Sequence, residues 1–429
     1  MNSLKDRLIA LFIKILGFPL SFLSYRTIHL SGKILGKCAF YLDRHHRKQT
    51  INNLAIAYKL KLTEKQMRRI AKESFENLAI TVLEFFRIRN SRSKLEEIII
   101  CENPEAHEKA AKHGKGVILL SCHQANWETP FIEISSRQAG TAVGRPIKNR
   151  YLYKWILSFR EMNGGKIITP KKAISMGIKE LKKGRFLGIV GDQSLPESSY
   201  SFPFFGVRAW TSPSPALLSY KTGAPLLIIS NQRREGKYYF RYSDPIWPNR
   251  QIPLKQEVPQ MMDRALKLVE KSIKDSPGQY FWQHKRWKQS GVNHIRKKYR
   301  HDFILLILPK EEEALEEILP HLLSLREIYP RGFFSFLAPE KCKGKPLPIK
   351  NAEIFYYKTR EDLFIRDWRQ QMIFDFIDDP SIRRHFRKLG AFHTFHREKL
   401  QKLAKKHPLY KKGLNLSMMM RYALLKIDF

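Results

Sequence analysis

Residues 114–128 read Gly114-Lys115-Gly116-Val117-Ile118-Leu119-Leu120-Ser121-Cys122-His123-Gln124-Ala125-Asn126-Trp127-Glu128. A glycine-flanked turn leads into four consecutive aliphatic residues, too short a run for a helix and without the alternation of a half-solvated strand. It therefore reads as a strand buried on both faces, as in a parallel sheet. His123 then lies at the carboxyl end of that strand, the edge at which open α/β sheets bind ligands.

Comparable runs follow at Gly140–Val143, Lys166–Ile168, Phe186–Val190 and Pro225–Ile229, separated by helical segments at Tyr151–Asn163 and Ala173–Lys183. Strand and helix alternating in this way predict an α/β domain. Upstream, Thr63 and Gln66 have capping-box spacing, and Met67, Ile70, Phe75, Leu78, Val82 and Phe85 recur at helical steps, so a helix is expected over Thr63–Arg87. Near the N-terminus, the apolar stretch Leu8–Leu23 carries Lys14 and Pro19. It is marginal for a spanning helix, and residues 1–30 are expected to be a membrane anchor or an interfacial helix. After Arg296–Arg300 a new strand–helix–strand unit begins, through Phe303–Leu308, Glu311–Ile328 and Phe333–Leu337, with helical aromatic-rich segments following to Lys406. A domain boundary is accordingly expected near residue 300, giving a main domain over 31–300 and a smaller accessory α/β domain over 301–429.

The 429 residues carry 78 Lys and Arg against 40 Asp and Glu, a net charge of +38. Residues 301–429 hold 24 basic and 17 acidic side chains, a net +7, which leaves +31 for the first 300. Such a surface selects polyanionic partners: nucleic acid, an anionic membrane or a phosphorylated substrate. Four scattered cysteines without a C-x-x-C pair provide neither a disulfide framework nor a zinc cluster. No zinc-finger spacing, P-loop or Gly-x-Ser-x-Gly elbow occurs. The sequence thus offers no elbow that would present a serine nucleophile.

His123 and Glu128 have His-x-x-x-x-Glu spacing, but so do His393 and Glu398. On spacing alone a core histidine satisfied by Glu128 is the better account. His393, in a segment read as helical, is taken as a surface or interface histidine, and Cys122, adjacent to His123 on a strand, as a small core residue.

The wider pattern favours chemistry at His123. The string Ser121–Glu128 resembles the signature of the lysophospholipid acyltransferase superfamily. Val143-Gly144-Arg145-Pro146 with Asn149, Arg160, Gly184 and Gly191-Asp192-Gln193 point to its lipid A branch, the lauroyl and myristoyl acyltransferases. Phe204-Phe205-Gly206 with Thr211, Lys221–Pro225 and Trp282–Lys288 continue the match over roughly residues 5–290. Gln124-Ala125 stands where the family more usually has aromatic-Gly, and residues 301–429 have no counterpart in its pattern.

The resemblance implies a glycerolipid-acyltransferase-like mixed sheet flanked by helices and preceded by a membrane helix. It implies an O-acyltransferase that moves a fatty acyl chain from acyl-acyl carrier protein to a lipid A precursor, with no metal or other cofactor. The enzyme would work at the cytoplasmic face of the inner membrane, with acyl carrier protein, a phosphorylated glycolipid and anionic lipid as partners. In that reading His123 is the general base, and Glu128 holds its imidazole in one tautomer. Arg145 and Arg160 bind the polar acceptor or the developing oxyanion. Asn126, within the same string, is a further acceptor-binding candidate. Asp192 either caps a turn or orients an arginine or the acceptor. The competing expectations are a nucleic-acid-binding protein and a non-catalytic protein bound to anionic membranes.

Overall fold

A computed structural model describes residues 3–88, 95–198, 200–289 and 294–426. Its chain divides into two units: residues 1–47 with 68–286, and residues 48–67 with 287–429. The boundary thus falls at Arg286/Trp287 rather than near 300. Residues 48–67 belong with the C-terminal unit, as where Asn52 donates to the Trp368 carbonyl and Lys48 to that of Ala391 at 3.0 Å. A boundary drawn along the sequence has no means of showing such an excursion.

The first unit is built on seven strands: β1 (Ile99–Cys101), β2 (Val117–Ser121), β3 (Gly140–Val143), β4 (Lys166–Ile168), β5 (Phe186–Val190), β8 (Leu226–Arg234) and β9 (Lys237–Tyr242). Between β5 and β8 the chain makes a separate antiparallel hairpin of β6 (Ser201–Phe204) and β7 (Val207–Trp210). The sheet order is β1-β9-β8-β2-β5-β3-β4, parallel throughout except for the β8–β9 pair, so the sheet is mixed. Val117, Ile118, Leu119 and Leu120 at its centre are at most 2% exposed. Burial of each such side chain is worth about 1.5–3 kcal/mol, which fixes β2 as the spine of the unit.

Two helices form the N-terminal region, α1 (Ser3–Gly17) and α2 (Tyr25–Leu42). The expected Leu8–Leu23 segment does not continue as one helix: Pro19 begins a short 3₁₀ turn over Pro19–Phe22, and the Ser24 hydroxyl caps α2 by accepting from the Thr27 amide at 3.1 Å. α1 has 15 residues, about 22 Å at 1.5 Å per residue. Among the described residues no helix is long and apolar enough to cross a membrane, so the expected spanning form finds no support. α3 covers Arg44–Ala57, and α4 (Glu64–Ile88) begins with the capping box read from the sequence, the Thr63 amide donating to Gln66 Oε1 at 2.8 Å. α2 approaches α4 closely because Gly32 and Gly36 have no side chain. A Cβ on Gly36 would lie 2.3 Å from the Glu76 backbone.

The second unit carries β10 (Phe303–Ile307), β11 (Phe333–Pro339), β12 (Glu353–Tyr357), β13 (Met372–Asp375) and β14 (His393–Phe395). All pair in parallel in the order β12-β11-β10-β13-β14, a doubly wound arrangement. Ile304, Leu306, Phe336 and Phe374 face one core, shared with Leu315, Leu325, Leu400 and Met420. Leu305, Ile307, Leu337 and Ile373 face the other, shared with Ile382 and Phe386. Three segments read as helical are therefore strands, His393 included. The ring of His393 bonds the Lys298 carbonyl at 2.8 Å, and burial lowers its pKa to about 4.

Candidate active site

β2 and β5 are parallel neighbours with Ser121 opposite Val190, and the Gly191 amide donates to the Ser121 carbonyl at 3.0 Å. His123 and Asp192 each stand two residues beyond these paired strand ends, so the register brings together residues 69 apart in sequence. His123 Nδ1 lies 2.7 Å from Asp192 Oδ1, and the His123 backbone amide donates to Oδ2 at 3.2 Å. Asp192 is buried. Burial works against its charge, but His123, with His284 nearby, outweighs that cost and holds the carboxyl well below the usual carboxylate range.

An ionised carboxylate only accepts, so in the neutral ring it is Nδ1 that carries the proton and Nε2 that holds the lone pair. The Gln193 amide sits 3.3 Å from that Nε2, and Gln193 is exposed. The ring is flanked by Trp127 and Phe281, with centroids at 4.9 and 6.2 Å. The result is an imidazole fixed at Nδ1 by a buried carboxylate and met at Nε2 only by a long contact from an exposed amide among the described residues, an arrangement suited to a general base.

Glu128 is not the orienting acid. It stands immediately before the helix Thr129–Arg137 without a side-chain capping bond, and its carboxylate receives Arg160 in a two-pronged pair, Nε to Oε2 at 2.8 Å and Nη2 to Oε1 at 2.5 Å. The turn after His123 carries Glu128 away from the imidazole, to the C-terminal end of the helix Arg150–Arg160. Arg160 is thereby fixed by Glu128 and passes close to Gly144, where a Cβ would be 3.3 Å from its Nη1.

Arg145 lies two residues beyond β3, which neighbours β5, so it shares the carboxyl edge with His123 and Asp192. It is exposed and forms no ion pair among the described residues.

Asn126 is a corrected expectation. It is fully buried, donating to Glu84 Oε2 at 3.0 Å and accepting from the Glu128 amide, and so shapes the turn rather than meeting an acceptor. The turn is held from behind by a stripe of α4: Asn77 and Thr81 donate to the Ala125 carbonyl at 3.2 and 3.0 Å, while Glu84 meets Asn126, Arg233 and His29. Positions 77, 81 and 84 share one helix face, and polar residues at that spacing inside an apolar pattern were the signal available in the sequence.

Gln124 and Ala125 also have structural duties. Gln124 exchanges hydrogen bonds with Ser272, and Ala125 adopts φ +50°, a conformation that favours glycine. Cys122 is buried and its thiol is pushed far up by burial, which makes it inert as a nucleophile. Among the described residues no three His, Cys, Asp or Glu side chains converge to hold a metal ion.

Residues 4–289 match the family model described as "Bacterial lipid A biosynthesis acyltransferase". The chain is 27% identical over 273 residues to the lipid A biosynthesis lauroyltransferase of Escherichia coli K12, covering 62% of this chain and 87% of that protein. It is 24% identical over 278 residues to the lipid A biosynthesis palmitoleoyltransferase of the same organism, covering 63% and 88%. Among solved structures, the 1-acyl-sn-glycerophosphate acyltransferase PlsC of Thermotoga maritima is similar at 14% identity and a TM-score of 0.28, covering 59% of this chain and 97% of that one.

Proposed function

The chain belongs to the bacterial lipid A biosynthesis acyltransferase family and is an acyltransferase of lipid A synthesis, and from that premise we propose that it transfers a fatty acyl group from acyl-acyl carrier protein to a hydroxyl of a phosphorylated lipid A precursor, with His123 as the base. The observation that carries this reading is the His123 ring, held at Nδ1 by buried Asp192 and met at Nε2 by the exposed Gln193 amide at 3.3 Å, which an acceptor hydroxyl would replace.

His123 Nε2 takes the acceptor hydroxyl proton as the oxygen attacks the thioester carbonyl. The new C–O bond forms, the carbonyl oxygen becomes an oxyanion, and collapse breaks the C–S bond. The imidazolium then returns the proton to the departing thiolate. Asp192 steadies the imidazolium. Glu128 acts through Arg160, fixing the fork of a guanidinium that meets negative charge on the acceptor or the oxyanion, while the exposed Arg145 meets acceptor phosphate.

The N-terminal helices support association with the cytoplasmic face of the inner membrane. Leu8, Leu11, Phe12, Ile15, Leu16 and Phe22 are each more than half exposed, alongside Lys5, Arg7 and Lys14. An apolar face with basic residues suits an interfacial helix pair on anionic lipid.

Purified protein supplied with a lipid A precursor and either acyl-acyl carrier protein or acyl-coenzyme A, with products read by mass spectrometry, tests the reaction. A product heavier by one acyl chain, formed faster with the carrier protein, is expected. No mass gain with either donor would overturn the reading. Phe12→Glu with Leu16→Glu should release the protein from anionic vesicles, and undiminished co-sedimentation would remove α1 from the membrane contact.

A further inference from the structure

The string Gly191-Asp192-Gln193 follows β5, and the transfer chemistry above uses only its aspartate. Gln193 is placed by that neighbour. Asp192 is held to His123 twice, at ring Nδ1 and at the backbone amide, 2.7 and 3.2 Å away. Those two bonds fix the chain at residue 192, so the next side chain starts beside the imidazole. The Gln193 side chain is exposed, and its Nε2 lies 3.3 Å from His123 Nε2. Among the described residues it makes no other hydrogen bond.

The ring decides which end of the amide faces it. With Nδ1 donating to a carboxylate, the neutral imidazole presents a lone pair at Nε2, and a side-chain carbonyl there would set two acceptors face to face. The NH2 end fits, because it donates. An acceptor hydroxyl that gives its proton to Nε2 must take the place of this donor. The contact is long, and an exposed amide yields it at little cost because water replaces it. Once displaced, the NH2 group stays within a side-chain rotation of the reacting atoms, since its backbone is anchored through Asp192.

Resting on the assignment of His123 as base, we propose that Gln193 is a further catalytic residue of the transfer, the amide donor that meets the thioester carbonyl oxygen as it becomes an oxyanion. The hydroxyl proton passes to His123 Nε2, an electron pair of the oxygen forms the bond to the carbonyl carbon, and the C=O π pair moves onto the carbonyl oxygen. That oxygen is two bonds from the attacking one and accepts from Gln193 Nε2–H. When the pair returns, the C–S bond breaks and the thiolate takes the proton from the imidazolium. Gln193 neither gains nor loses a proton. Its bond strengthens as charge grows on the oxygen, so it favours the transition state over the ground state. A neutral donor does this without setting another cation against the imidazolium. Arg160, held by Glu128, is then left to the fixed negative charge of the acceptor.

Steady-state kinetics of purified variants, with acyl-acyl carrier protein and a lipid A precursor, test the assignment. Gln193→Met keeps the length and removes the donor, and Gln193→Glu keeps the shape and offers only acceptors. Each should lower kcat by about 10² or more, the usual cost of losing one oxyanion donor, with KM within a few-fold of wild type. Tm should be unchanged, because the exposed side chain makes one long bond. Gln193→Met with kcat within a few-fold of wild type would overturn the proposal, and so would a loss confined to KM. His123→Ala assayed alongside separates the two assignments: turnover retained there defeats the base, whereas turnover lost there and kept in Gln193→Met defeats Gln193 alone. A donor whose carbonyl oxygen is replaced by sulfur, a weak acceptor, gives a readout that a structural role would not move. With this dithioester the deficit of Gln193→Met relative to wild type should shrink to a few-fold, and a deficit as large as with the natural donor would overturn the proposal.

Discussion

Both sheets place a buried aspartate at the carboxyl end of a strand next to the central one, and the two aspartates have opposite surroundings. Asp192, after β5, faces an imidazole whose far nitrogen meets the exposed Gln193 amide at 3.3 Å. Asp375, at the end of β13, accepts from Arg383 Nη1 at 2.7 Å and from the Ile377 and Asp378 amides at 3.1 and 3.0 Å, and the same Arg383 nitrogen also meets Asp378. One carboxylate hands its charge to a group that can bind and release a proton. The other spends it on a cation that never titrates in the working range. The edge of a doubly wound sheet is therefore an opportunity for chemistry, and what occupies the aspartate decides whether it is used.

The largest expected effect breaks the first arrangement. His123→Ala should lower kcat by about 10² to 10⁴, the usual contribution of a positioned base, with circular dichroism unchanged. Turnover within a few-fold of wild type would contradict the assignment. The matching change in the second sheet should do the reverse. Arg383→Gln strips a buried pair of one partner and should destabilise the C-terminal unit by about 3–5 kcal/mol in denaturant unfolding. Transfer, measured well below that variant's own unfolding temperature, should stay within a few-fold of wild type. A loss as deep as that of His123→Ala would assign chemistry to the second sheet.

Much of this was legible in the sequence, and the omissions have physical causes. The aliphatic runs of β2 and β8, and the first two residues of β5, are buried, so they stand out without any periodicity, and following β2 to its end leads to His123. Its partner was misread because chain proximity favoured Glu128, five residues on. Asp192 becomes adjacent only through the β2–β5 register, which a single sequence does not display. The first residues of β12 and the aromatic stretch around β13 and β14 lack a clean alternation, so by pattern alone strands there resemble helix. The excursion of residues 48–67 into the C-terminal unit is a contact between distant segments, and no composition shift marks it. For the same reason a chain ended after Arg286 is a poor test of the accessory unit, since it would strip residues 48–67 of their neighbours.

A smaller effect sharpens the account of the turn beside His123. Ala125 holds φ +50°, which costs a non-glycine residue about 1 kcal/mol, and it is fully buried. Ala125→Gly relieves that strain while adding flexibility to the unfolded chain, so stability should change by no more than about 1 kcal/mol and turnover should persist. A loss of activity would show that the Ala125 methyl, rather than the turn it occupies, matters to the site.

The central claim is that Asp192, and not Glu128, holds the His123 imidazole, and ¹⁵N-histidine NMR reads this directly. In the wild-type protein above the imidazole titration, the His123 Nδ1 resonance should have the shift of a protonated ring nitrogen and Nε2 that of a free one. Glu128→Gln should preserve this tautomer and Asp192→Asn should lose it. A tautomer that survives Asp192→Asn and collapses in Glu128→Gln would contradict the account.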